Sequence, residues 1–392
     1  MRKGIAILLT LIMSLTLVGC QGSSDEVADS GTDSTPVVSE DATSEDTQET
    51  SGDNETVNAD IPSAIQGKTL KMALIKEWGT GTHMITHING VKDEAARYGI
   101  ELSVIDANND LAKMAEGIDN AVTNKMDAIL ISHGKADALT GAVQKALEAG
   151  IPVIVFDNDF DIPEEIHQGK LVSLDQYDLM MGLLSQMALV QELDGKGKVV
   201  YNRVANVPPT DKRHRIWEGG ILPTYTGLEV TNTIDLGTDN PMPKAQTALE
   251  TLLTTGSEID AVYAVWDEYA KGFYNALVVE QQASGRTIPL YSVDISDQDL
   301  AMMQDHPEIW RASAAVDPTV VGQVQIRLAL KALAGEKIPR YYSLKPVLVH
   351  VDDLPSKDER RVTMADLAEF YDGWGYTTDF LEDWMLALEQ AQ

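Results

Sequence analysis

From Lys68 onward, short apolar runs rich in β-branched residues alternate with stretches of helical periodicity, about every fifteen residues, and each run stops at polar residues. The sharpest instance is Ala149-Gly150-Ile151-Pro152-Val153-Ile154-Val155-Phe156-Asp157-Asn158-Asp159. Val153 to Phe156 is unbroken and apolar, the pattern of a strand buried on both faces of a parallel sheet. Gly150 suits the end of the preceding helix, and Pro152 stands at a strand start that tolerates it. This alternation predicts an α/β fold with parallel sheets. In that class ligands lie beyond the carboxyl ends of the strands, where Asp157 and Asn158 fall.

The first block reads as strands at Lys68–Ile75, Glu101–Asp106, Ala128–Ser132, Val153–Phe156 and Leu171–Leu174. Helices are predicted between them over His83–Tyr98, Leu111–Asn124 and Ala136–Glu148. After Asp175-Gln176-Tyr177 the alternation restarts. Helices are expected at Tyr177–Glu192, Lys212–Ile221, Lys244–Thr255 and Ala270–Ser284. Strands are expected at Lys198–Tyr201, Glu229–Ile234, Ala261–Val265, Leu290–Val293 and Trp310–Ala315. Two α/β blocks of similar size result.

The net charge of −31 is unevenly placed: residues 21–60 hold twelve Asp/Glu and no Lys or Arg. That balance excludes nucleic-acid binding through phosphate contacts, which needs clustered cations. Residues 21–60 also lack aromatics and read as a disordered acidic tether. Ahead of them, Arg2 and Lys3 precede an apolar stretch, Ile5 to Val18, too short for a comfortable membrane span. It ends in Leu17-Val18-Gly19-Cys20, which resembles the lipobox of bacterial lipoprotein signal peptides. Residues 1–20 are then the signal peptide and Cys20 the lipid anchor. The expected location is the extracytoplasmic face of the cell membrane. As the single cysteine, Cys20 allows no intrachain disulfide and leaves no thiol nucleophile in the body.

Five stretches together resemble the type I periplasmic solute-binding proteins of ABC importers, close to the ribose-binding branch. They are Asp106-Ala-Asn-Asn-Asp110, the strand ending at Asp157, Ala261-Val-Tyr-Ala-Val-Trp-Asp-Glu268, Tyr291-Ser-Val-Asp294, and Val316-Asp317-Pro318 with Gly322 behind it. The resemblance implies two Rossmann-like lobes with parallel sheets, joined by a three-crossover hinge. The first lobe would be 68–174 and 318–345, the second 175–317 and 346–351. It implies a monomer without cofactor that closes on a sugar or polyol and presents it to an ABC permease. A ligand-presenting receptor for chemotaxis or a sensor kinase uses the same fold, and the sequence does not separate the two.

The resemblance and the strand-end rule nominate the same kind of residue. Trp78 follows the first strand, with Thr80 and His83 nearby; an indole face suits the C–H face of a sugar. Ser132 and His133 follow the third strand, Asp157 and Asn158 the fourth. A carboxylate accepts only, so Asp157 selects hydroxyl or amine donors. Family members carry a ligand-clamping Arg in the second lobe; here Arg213 and Arg215 both qualify, and the spacing does not decide between them. Trp266 stands where ribose binders have an Asn and Asp317 where they have a Gln, while Asp294 fits the family's Asp. Asp267 can either cap the next helix or touch ligand. Converging Asp157, Asp294 and Asp317 repel one another unless an Arg or the ligand compensates, so the ligand is a polyhydroxy compound held with an Arg or one that bears an amine.

Other motifs carry no chemistry. Gly79-Thr80-Gly81 opens like a dinucleotide fingerprint, but Met84 replaces its third glycine. His83 and His87 lie one helical turn apart without the Glu of a zinc protease. There is no nucleophile elbow and no P-loop, so no catalytic residue and no metal is expected. Residues 352–392 extend past the family core. Helical stretches are expected at Thr363–Asp372 and Thr378–Leu388, packing on a lobe, bracing the hinge or docking a partner.

Overall fold

The computed structural model describes residues 59–79 and 81–392. The leader, Cys20, the acidic stretch through residue 58 and Thr80 lie outside the described residues. Along the chain, β1 (Lys71–Lys76), α1 (Thr82–Arg97), β2 (Glu101–Asp106), α2 (Leu111–Thr123), β3 (Ala128–Ser132) and α3 (Ala136–Glu148) come first. Then follow β4 (Val153–Phe156), the one-turn α4 (Glu164–His167), β5 (Leu171–Asp175), α5 (Asp178–Glu192), β6 (Lys196–Asn202), α6 (Pro208–Ile216) and the short α7 (Leu222–Thr224). The alternation continues through β7 (Gly227–Ile234), α8 (Pro241–Thr254), β8 (Ala261–Tyr263), α9 (Asp267–Ser284), β9 (Leu290–Val293), α10 (Asp297–Asp305) and β10 (Trp310–Ala315). Finally α11 (Pro318–Leu333), β11 (Tyr341–Ser343), β12 (Val347–His350) and α12 (Asp383–Gln390) complete the chain.

Two six-stranded sheets form, in the orders β11-β5-β4-β3-β1-β2 and β12-β10-β9-β8-β6-β7. Every pairing is parallel except β10 with β12. In the first sheet the period-two alternation divides the core. Ala73, Ile75, Ile129, Ile131, Val153 and Val155 pack with Met114, Ile118 and Val143 of α2 and α3. Met72, Leu74, Leu130, Ile154 and Phe156 pack on the other side with Ile88 and Val91 of α1. Strands that bury both faces must be apolar throughout, which is why β3 and β4 are fully buried.

Among the described residues up to β12 the chain passes between the lobes three times: at Gln176–Tyr177, at Val316–Asp317, and at residues 344–346. The expected α/β architecture, two lobes joined by a three-crossover hinge, is therefore present. Helix α11 returns to the first lobe and packs on α1. Their approach depends on small residues: a Cβ on Gly90 would lie 2.5 Å from the Thr319 carbonyl oxygen, and one on Gly322 2.3 Å from the Val91 nitrogen.

Some boundaries differ from the periodic reading. Helix α6 starts at Pro208, not Lys212, because Pro208 and Pro209 occupy the first helical positions, where a missing N–H costs nothing. It ends at Ile216 and continues as a π-helical turn, Trp217–Ile221, through Gly219-Gly220. In the C-terminal segment, Met364–Glu369 is a 3-10 turn and α12 starts at Asp383, five residues later than expected. No described helix is long and apolar enough to cross a membrane.

Candidate ligand-binding site

Between the lobes lies a small, largely enclosed cavity, lined by strand ends, helix starts and one hinge passage. Three of the strands end in a residue with left-handed backbone: His133 (φ 63°), Asp157 (φ 56°) and Asp294 (φ 71°). None is glycine, so each carries strain of order 1–3 kcal/mol that the surrounding structure must hold. The sharp turn stops the strand and leaves these side chains at the cavity wall. From the first lobe come Trp78, Thr82, His83, Met84, His133 and Asp157; from the second Val204, Thr210, Arg213, Thr238, Trp266, Asp267, Glu268 and Asp294; from the hinge, Gln176.

Arg213 organises the second-lobe wall. Its Nη1 and Nη2 donate to the two carboxylate oxygens of Asp294 at 3.0 and 3.3 Å, its Nε to Asp178 at 3.1 Å, and Nη1 also to the Val265 carbonyl at 2.9 Å. Burial works against the charge, but Asp294, Asp178 and Asp157 outweigh it and raise the guanidinium pKa. Arg215, the other candidate, is exposed and does not line the cavity. Two residues along a helix turn a side chain by about 200°, so only one of the pair can face inward.

In the first lobe, Asp157 is fully buried. Its Oδ2 accepts from Gln176 Nε2 at 3.1 Å and lies 3.6 Å from His133 Nε2, while Oδ1 has no partner among the described residues. Burial, then the neighbouring charge of Asp178, push its pKa well above the carboxylate range against the pull of Lys212 and Arg213. The His133 pKa lies well below the ordinary imidazole value, through burial and then the charges of His87, His83 and Arg213. It is a neutral ring, with Trp78 packed over it at 4.7 Å between centroids. His83 Nε2 meets Gln176 Oε1 at 2.9 Å and lies 3.9 Å from Asp294 Oδ1, which brings a first-lobe helix against a second-lobe strand end.

Asp267 is the first residue of α9, not its cap. It lines the cavity and accepts from the buried Lys271 at 2.8 Å, leaving Oδ1 without a hydrogen-bond partner among the described residues. Burial raises its pKa despite Lys271. Lys271 also bonds Glu268 at 2.8 Å and lies 3.5 Å from Asp299. The wall thus presents Asp157, Asp267, Asp294 and Glu268 around Arg213, with Lys271 behind.

Of the nominated residues, Trp78, His83, His133, Asp157, Arg213, Trp266 and Asp294 line one cavity. Ser132, Asn158, Arg215 and Asp317 do not. Ser132 Oγ meets His133 Nδ1 at 2.9 Å, and Asn158 donates to the His133 carbonyl at 3.3 Å, so both act on the cavity through His133. Asp317 precedes Pro318 and caps α11, accepting from the Thr319 N–H at 2.8 Å. It borders a different cavity, beside the hinge. Gln176 and Glu268 were not foreseen; Gln176 directly follows β5, where the strand-end rule would have found it. Among the described residues no group of three or more His, Cys, Asp or Glu is placed to hold a metal.

The family model of the periplasmic binding protein domain matches residues 73–337. The ribose import binding protein of Bacillus subtilis is 27% identical over 254 residues, covering 65% of this chain and 78% of that protein. A sugar ABC transporter structure from Yersinia enterocolitica matches with a TM-score of 0.77 at 29% identity, over 85% of this chain and 98% of the other. The 5-methylthioribose transporter solute binding protein of Thermotoga lettingae, in complex with 5-methylthioribose, gives 0.76 at 29% identity, over 82% and 99%.

Proposed function

Because the chain belongs to the periplasmic binding protein family, we propose that it is the extracytoplasmic receptor of a sugar ABC importer, which closes on a monosaccharide or related polyol and hands it to the permease. It binds its ligand without transforming it. The observation that carries the ligand class is a pair of buried carboxyl groups, Asp157 from one lobe and Asp267 from the other, that line the cavity and each keep one oxygen without a donor among the described residues. A buried acceptor left unpaired costs about 1–3 kcal/mol, and a ligand carrying several hydroxyls satisfies both. Trp78, Trp266 and Met84 supply apolar surface for the C–H faces of such a molecule. Relatives named for ribose and 5-methylthioribose support a pentose-sized ligand.

The site residues we assign are Trp78, His83, His133, Asp157, Gln176, Arg213, Trp266, Asp267 and Asp294. The lobes we assign are 68–174 with 318–345 and 175–317 with 346–351, supported by β11 joining the first sheet and β12 the second. Leu17-Val18-Gly19-Cys20 supports a lipid anchor on Cys20, and the receptor acts as a monomer. Fatty-acid labelling that survives in a Cys20→Ala protein would remove the anchor from this reading.

A thermal-shift screen across pentoses, hexoses, 5-methylthioribose, polyols and small amines tests the ligand class, since a true ligand raises Tm by mass action. Stabilisation by hydroxyl-rich compounds, lost in Asp157→Ala, is expected. The surplus of Asp157, Asp267, Asp294 and Glu268 over Arg213 and Lys271 favours a second reading, an amine-bearing ligand. Shifts by amines alone would establish it and displace the first.

A further inference from the structure

We propose that residues 352–392 form a non-covalent tie between the lobes that limits how far the cleft opens. The segment is anchored twice. Its first half holds the second lobe: Gln304 of α10 donates to the carbonyls of Pro355 and Arg360 at 2.8 and 2.9 Å and accepts from the Val362 N–H at 2.9 Å. The Met364 N–H bonds Asp297 at 2.7 Å, and Tyr371 accepts from the His350 N–H at 3.1 Å. Val362 and Leu367 are buried there.

The second half holds the first lobe. Arg327 of α11, itself buried, donates to the Thr377 carbonyl at 2.6 Å and to Glu94 of α1 at 2.7 Å. Tyr342 of β11 bonds Asp379 and packs edge-on to Phe380 at 4.7 Å. Lys331 pairs with Glu382, and Trp384 Nε1 donates to Glu336 at 2.7 Å. Met385 and Leu388 are buried behind them.

Between the anchors runs Gly373-Trp374-Gly375-Tyr376, with both glycines at φ 81°. It borders a cavity that also takes in Asp317 from the second hinge passage and Lys345 from the third. The tie is therefore a fourth link at the hinge, a main-chain crossing whose far end is held to the first lobe by non-covalent contacts alone. From Tyr371 to Thr377 six residue steps reach at most about 20 Å when fully extended, so lobe separation beyond that requires one anchor to let go. The inference does not depend on which ligand is bound.

The test uses full-length protein with Cys20→Ser and spin labels on Glu116→Cys and Thr247→Cys, exposed helix positions in different lobes. Inserting six Gly/Ser residues between Gly375 and Tyr376 slackens the crossing by up to about 20 Å while keeping both anchors. The ligand-free distance distribution is expected to broaden and move to longer distances; the same insertion after Gly285, inside the second lobe, should leave it unchanged. A second variant, Tyr342→Phe with Glu382→Gln, loosens the first-lobe anchor at constant length and should move the distribution the same way. Distributions identical to the parent in both variants, or an equal change from the Gly285 insertion, overturn the proposal.

Discussion

Replacing Arg213 by Met isolates the charge that holds the second-lobe wall together. The side chain is 2% exposed, so solvent offers its partners no compensation. It makes a bidentate contact with Asp294 and single ones with Asp178 and the Val265 carbonyl. Adding these as independent bonds would overcount, because they share one guanidinium. The better guide is the cost of stranding one partner of a buried ion pair, about 3–5 kcal/mol. For a domain of this size that lowers Tm by roughly 10 °C. Arg215→Met, on the exposed side of the same helix, should stay within about 0.5 kcal/mol. The destabilisation also has a pH signature. Without Arg213 the buried Asp178, whose pKa burial already raises against the pull of Arg213, is raised further. A carboxylate raised in the folded state favours folding below its unfolded pKa, and that contribution is lost as pH rises through the folded value. The variant should therefore lie furthest from the parent at neutral pH and approach it toward pH 4. Urea denaturation at several pH values reads both effects. Equal losses for Arg213→Met and Arg215→Met, or a gap that widens in acid, would refute the reasoning.

Asp157→Asn should raise the neutral-pH Tm of the ligand-free protein, because burial disfavours the charged form; the gain shrinks as pH falls toward the unfolded carboxylate value, and melting curves from pH 4 to 8 follow it. His87 is fully buried and its pKa is lowered to about 4, by burial first. Against an ordinary 6.5 that difference is worth about 3 kcal/mol, present above pH 6.5 and lost as pH falls toward 4; His87→Gln should flatten this part of the acid limb in urea titrations. Gly322→Ala places a methyl group against the backbone of α1, and overpacking of this kind costs about 1–3 kcal/mol; an unchanged urea midpoint would show that the two helices part freely.

Much of the fold was legible because parallel strands advertise themselves. Val153 to Phe156, Glu101 to Asp106 and Ala128 to Ser132 begin and end where the sequence indicates. Helix α6 resisted because Pro208-Pro209 reads as a break as readily as a start, and because its polar face offers no apolar stripe to fix its rotation. The same lack of a stripe left Arg213 and Arg215 equivalent until the structure separated them. Asp317 looked like a ligand contact by position in the family pattern, but a short acceptor before a proline is also a good helix cap, and it is used as one. Gln176 escapes a strand-end reading made within each block, because it lies on the passage between them.

The acidic wall bears on why the cleft should wait for its ligand. Closing brings Asp157 of the first lobe against the charge of Asp178 at the start of the second, which together with burial pushes its pKa up, and Arg213 is committed to Asp294 and Asp178. The cross-lobe contact of His83 with Asp294 is long, at 3.9 Å, and offsets little of that repulsion. A ligand shifts such an equilibrium only by what it contributes to the closed form beyond the open one, and hydroxyl donors to the carboxyl groups of Asp157 and Asp267 are contributions of that kind. It follows that Asp157→Asn with Asp267→Asn should close without ligand. With the Glu116 and Thr247 label pair, the ligand-free double variant is expected to show a shorter, narrower distance distribution than the parent. A distribution unchanged from the parent would mean that carboxylate repulsion does not hold the empty lobes apart.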